Sequence, residues 1–177
     1  EMCIRDRSKV EQTYTAKERN DLILLILLHE NDYVKTQSLA IDLKTSTQTI
    51  RNSLHQLQNF LENDDITLIT KRSEGVILEG KEISKRHLLI SIILRNIPLD
   101  NFFDWMKNKK YKSCAFINLL IQWDYEDTLS VIYDFLNPLI SKKRLNVSDK
   151  EFQEFLFLLC IFIKRHSLVD EKEDELG

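Results

Sequence analysis

The sequence predicts a mainly α chain in two parts: three helices and a small β-hairpin near the N-terminal end, then an all-α region. Three observations carry this reading. Glycine and proline are scarce, three and two residues among 177, which favours long helices over a turn-rich β architecture. Apolar residues recur at helical spacing from Ile50 to Leu61. The period then changes to two between Ile66 and Leu78, the mark of paired strands.

Each element has a local cause. Thr15-Ala-Lys-Glu18 is a capping box, in which hydroxyl and carboxylate satisfy two free N–H groups at a helix start. The run Leu22 to Leu28 shows no phase, and the cap with the helix-favouring Ala16 to Arg19 decides for helix over strand. Asn31-Asp32 ends it. Thr36 is expected to cap a short second helix, Gln37 to Leu43, and Ser46 to cap a third. In that third helix Ile50, Leu54, Leu57 and Leu61 form one buried stripe. Strands follow from Ile66 and at Val76 to Leu78, with Gly75 supplying a positive φ at the turn. Helix, helix, helix, hairpin is the order of a winged helix-turn-helix. Helices are then expected over Lys81 to Asn96, Phe102 to Tyr111, Ala115 to Trp123 and Asp127 to Leu136. Ser148-Asp-Lys-Glu151 is a second capping box, opening a helix that ends near His166.

The bulk numbers narrow the function classes. The longest uninterrupted apolar run, Phe155 to Ile163, spans nine residues, about half of the roughly 18 that suggest a bilayer span. No secretory signal pattern is visible, so a soluble cytoplasmic protein with no membrane partner is expected. Cys3, Cys114 and Cys160 share no metal-ligand spacing with His29, His55, His87 or His166. Glycine at 75, 80 and 177 alone leaves no phosphate-cradling loop. No catalytic residue, metal or cofactor is expected.

The net charge of −3 is a weak guide, because a DNA reader needs only a local cationic surface. From Lys44 to Leu61 the charged side chains are Lys44 and Arg51, both basic. At about 100° per residue, Gln48, Asn52, His55 and Asn59 fall on the face opposite the buried stripe, with Arg51 at the edge of that exposed face. A helix-turn-helix lays its second helix in the major groove. Amides there pair with adenine and arginine with guanine. Gln48, Arg51, Asn52 and His55 are therefore the expected base readers of double-stranded DNA. Thr36, Ser46, Thr47 and Thr49 suit phosphate oxygens, and Lys71 and Arg72 on the wing suit an adjacent backbone.

The segment YVKTQSLAIDLKTSTQTIRNSLHQLQNFL, followed by ITLITKRSEGVILEG, resembles the N-terminal domain of bacterial sugar-operon activators with phosphotransferase-system regulation domains, of the mannitol and lichenan activator type. The matching features are Leu39-Ala40, the Ser46 to Arg51 helix opening, the Gly75 to Gly80 wing and Arg86. The resemblance implies a sequence-specific transcriptional regulator of carbohydrate genes, and a homodimer is expected from the wide apolar faces of its helices. The resemblance further implies phosphotransferase-system proteins as partners of the complete chain. LNVSDKEFQEFLFLLCIFIKR is similar to the regulation-domain helix that ends in Ile-x-Arg, here Ile163 and Arg165. Where that helix carries a phosphorylatable His, this chain has Leu158. Two further readings stay open: a virulence-type regulator without a sugar signal, and a helix-turn-helix used for protein contacts.

The expected organisation is a non-native or disordered leader over 1–12, a winged helix-turn-helix over 13–80, a connecting helix over 81–98 and an incomplete helical regulatory domain over 99–177. Wide apolar faces at Leu88 to Leu94 and Phe155 to Ile163 are the expected dimer surfaces.

Overall fold

The structure, a computed structural model, describes residues 14–61, 65–143 and 146–174; the leader expected at 1–12 lies outside them. Its first part consists of α1 (Ala16–Glu30), α2 (Thr36–Asp42), α3 (Thr47–Leu61), β1 (Ile66–Lys71) and β2 (Gly75–Gly80). The second part is all helical: α4 (Glu82–Asn96), α5 (Leu99–Asn108), α6 (Ala115–Gln122), α7 (Tyr125–Lys143) and α8 (Asp149–Asp174). The architecture is a winged helix-turn-helix followed by a helical bundle.

α1 is the central helix. The Thr15 hydroxyl accepts from the Glu18 N–H at 3.2 Å, and the Glu18 carboxylate accepts from the Thr15 N–H at 2.9 Å. Asp21 to Leu28 are all buried, because α1 packs against α3, β2 and α4 at once. Burial all round explains why this run shows no helical phase. Asn31 closes the helix in the left-handed region at φ 50°.

Thr36 does not cap α2. Lys35 holds that position and offers no side-chain bond, since the Leu39 N–H already reaches the Lys35 carbonyl at 3.2 Å and closes the first turn one residue earlier. The turn into α3 runs through Lys44 at φ 49°, with the Thr45 N–H on the Ala40 carbonyl at 2.9 Å. That bond, the left-handed backbone at Lys44 and the burial of Leu39, Ala40 and Leu43 set the angle between α2 and α3.

β1 and β2 pair antiparallel from Ile66↔Gly80 to Lys71↔Gly75 around a turn of Arg72, Ser73 and Glu74. Ile66, Leu68, Val76 and Leu78 turn inward, so the period-two pattern reports a one-sided sheet. Val34 adds an isolated bridge to Val76, with both N–H···O bonds at 2.9 Å.

In the second part, Phe102, Trp105, Phe116, Ile117, Leu120, Leu129, Leu156, Phe157, Cys160 and Ile161 fill the core. α5 begins directly after Pro98, earlier than the expected Phe102, because proline has no N–H to leave unsatisfied at a helix start. α7 extends past the expected Leu136 and contains Pro138, at the loss of one backbone bond. The expected dimer surface at Leu88 to Leu94 needs correction. Leu89, Ile92 and Ile93 are buried in the chain's own core, where α4 lies between α1 and α8.

Candidate nucleic-acid interface

α3 is a two-faced helix. Ile50, Ser53, Leu54, Leu57 and Leu61 are buried, while Gln48, Arg51, Asn52, His55 and Asn59 are exposed on the other side. The four expected base readers thus share one open helical face. The Gln48 amide donates to Asn52 Oδ1 at 3.1 Å. This contact orders two flexible side chains in advance while leaving the Gln48 oxygen and the Asn52 amide hydrogens with bonding capacity for a base edge.

Two polar contacts brace the rear of this helix. Arg19 Nε donates to the buried Ser53 hydroxyl at 3.0 Å, and the Asn20 amide donates to Gln56 Oε1 at 3.2 Å. Sequence reasoning missed Ser53. Its place inside the Ile50–Leu54–Leu57 stripe was the signal, since a small polar residue there needs a buried partner.

The expected backbone contacts divide. Ser46 Oγ accepts from the Thr49 N–H at 3.0 Å and lies 2.8 Å from Thr49 Oγ1, so Ser46 caps α3 as expected. Thr47 is exposed on the first turn and Thr36 half-buried at the start of α2. On the wing, Lys71 sits 4.5 Å from the Tyr33 ring centroid and 3.2 Å from Glu74. That ion pair is about half exposed on both sides, a kind worth little in water and readily exchanged for a phosphate. Arg72 is exposed at the wing tip.

Residues 5–91 match the family model described as the Mga helix-turn-helix domain. Residues 5–91 form an Mga-type helix-turn-helix domain. The match begins within the expected leader and ends inside α4. It supports the helix-turn-helix reading and does not reach the mannitol or lichenan activator subtype. No curated protein and no solved structure matches the chain significantly.

Around the Mga-type domain the titratable groups are built for packing. His29, at the end of α1, stacks on Trp123 with ring centroids 3.9 Å apart. Burial, with Arg165 and Lys164 nearby, pulls its pKa down to about 4, so it is neutral near pH 7. Burial pushes the Cys160 thiol up to about 12, which leaves no thiolate to act as nucleophile. Among the described residues no group of three or more His, Cys, Asp or Glu is placed to hold a metal ion. No helix among them is long and apolar enough to cross a membrane.

Proposed function

We propose that this chain is a sequence-specific transcriptional regulator that reads double-stranded DNA through α3. The observation that carries the proposal is the exposed row Gln48, Arg51, Asn52 and His55, on a helix whose opposite face is wholly buried. In this reading Arg51 takes a guanine and the Gln48–Asn52 pair an adenine. Ser46, Thr47, Thr49, Thr36, Lys71 and Arg72 hold the backbone on either side. The resemblance to sugar-operon activators is what supports carbohydrate genes as targets and phosphotransferase-system proteins as partners. Leu158, exposed on α8, offers no phosphorylatable group, which favours an input received by contact at this position.

The chain is further proposed to act as a pair. Outward-facing apolar residues lie at Val131, Phe135 and Leu139 on α7 and at Phe155, Leu158, Phe162 and Ile163 on α8. A second copy is the occupant that would place two recognition helices on half-sites one helical turn apart.

The test is selection of bound duplexes from a random DNA pool by the whole chain, with an Arg51→Ala/Asn52→Ala variant in parallel. An enriched motif with two related half-sites is expected. The variant should bind each half-site at least about 30-fold more weakly, since each of the two lost bidentate contacts costs about 1–3 kcal/mol. Equal enrichment by the variant would remove α3 as the reader. A single half-site bound by a chain that sediments as a monomer at tens of micromolar would end the pairing proposal.

A further inference from the structure

The DNA-binding part and the helical part meet at a polar junction that neither the helix-turn-helix match nor the base-reading face explains. Arg165 on α8 is 1% exposed. Its guanidinium donates twice to Glu82, the first residue of α4, through Nε to Oε1 at 2.6 Å and Nη2 to Oε2 at 2.9 Å. Its Nη1 donates to the Leu28 carbonyl in the last turn of α1. That carbonyl has no intrahelical partner, and the negative end of the helix dipole favours a cation there. Arg86 Nε also donates to Glu82 Oε1, at 2.9 Å, so the carboxylate serves two guanidiniums.

α8 grips the opposite end of α4 as well. The buried Gln153 amide donates to the carbonyl of Ile97, the residue that ends α4, at 3.0 Å. α8 therefore runs antiparallel along α4, with one buried polar clamp at each end. Glu82 follows the wing by two residues, since β2 ends at Gly80. The wing is thus tied on one strand to Val34 and, through the root of α4, to the helical region. A fully buried arginine with three directed bonds tolerates little displacement of any partner, because an unpaired buried charge is costly.

We propose that Arg165 is a positioning residue for DNA binding: α8 acts as a splint that fixes the root of the wing and its angle to α3. The proposal rests on the DNA-binding reading for its purpose, while the splint itself is a property of the free chain. It assigns a mechanical route from the helical region to the DNA contacts, in which a shift of α8 displaces Glu82 and with it the wing. It also makes α8 part of the functional DNA-binding unit.

The test compares the whole chain with Arg165→Met, Glu82→Gln and Leu129→Ala, the last a core truncation in α7 that takes part in none of these hydrogen bonds. Amide hydrogen exchange across 66–80 is read without DNA, and binding to random-sequence duplex DNA is followed against salt. In Arg165→Met the wing amides should exchange at least about tenfold faster. Those of Ile50 to Leu57 in α3 should exchange as before, and the salt slope should fall by about one as a wing–phosphate contact is lost. Glu82→Gln, which keeps its neighbour Arg86, should show the same changes at smaller size and covers the case in which Arg165→Met does not fold. Leu129→Ala should lose stability without selective change at the wing. Wing exchange in Arg165→Met and Glu82→Gln no faster than in Leu129→Ala would overturn the splint. Absence of duplex binding by the unaltered chain would instead defeat the DNA reading, with the exchange data still deciding the splint.

Discussion

Replacing Asp21 with Ala is expected to lower stability by about 3 kcal/mol and the melting temperature by roughly 10 °C. Asp21 is the one charged residue in the buried stretch of α1. It accepts from Arg95 Nε at 2.9 Å, from Arg95 Nη2 and from the Asn96 amide at 2.7 Å. Its carboxylate is therefore held by three bonds from α4, and removing it strips the Arg95 guanidinium of two, leaving the Nη1 bond to Ser91 at 3.3 Å. Two features hold the cost at the lower end of the range for breaking a buried pair. Arg95 is 30% exposed at the side chain and can turn toward water. Asn96 keeps its bond to the Ile92 carbonyl at 2.8 Å. The exposed pair Lys81–Asp65, at 3.3 Å, is the internal reference, and Asp65→Ala should change stability by less than about 0.5 kcal/mol. Thermal and urea unfolding of both variants decide the matter. A loss in Asp21→Ala no greater than in Asp65→Ala would show that the buried pair does not hold α1 to α4.

Gly75→Ala is expected to detach the wing without unfolding the rest, at a local cost of about 2–4 kcal/mol. Gly75 has φ 121°, a backbone conformation that side chains with a Cβ rarely adopt, and a Cβ there would stand 2.2 Å from the Val34 carbonyl oxygen. The clash is with backbone, so no rotamer change relieves it. The chain must surrender the two 2.9 Å bonds between Val34 and Val76 or distort the hairpin. Hydrogen exchange should show the amides of Val34 and Val76 losing protection while those of Ile50 and Leu54 keep theirs. Duplex DNA affinity should fall with a shallower salt dependence, because Lys71 and Arg72 lose their placement. Undiminished protection at Val34 and Val76 would mean that the close approach at Gly75 can be relieved cheaply.

These two sites show where sequence reading reached and where it stopped. The positive φ at Gly75 was legible, because a glycine between two period-two runs has a local meaning; the close approach of the Val34 backbone to it was not. Nor was the role of Asp21. It stands next to seven apolar residues, and its purpose exists only once α4 brings Arg95 and Asn96 to it from about 75 residues away. The same contrast holds within the interface. The exposed row on α3 followed from spacing alone, whereas the brace from Arg19 to Ser53 required knowing that α1 passes behind α3.

The expected dimer surface at Leu88 to Leu94 failed for a related reason. An all-round apolar helix says that it will be buried and does not say by what. Here α1 and α8 of the same chain cover it. On α8 the nine-residue apolar run is divided by packing: Leu156, Phe157, Cys160 and Ile161 turn inward, and Phe155, Leu158, Phe162 and Ile163 remain outside.

By itself the sequence determined what depends on neighbours within a few turns of chain. Both capping boxes, the buried stripe of α3, the change of period into the wing and the positive φ at Gly75 are of this kind, because capping, periodicity and turn geometry act over three to seven residues. Only the tertiary structure decided the partners of Asp21, Ser53 and Arg165, and the placement of α4 between α1 and α8. Those are polar bonds and burials between residues far apart in the chain, and a buried charge reveals its role only when its counter-charge has been brought beside it.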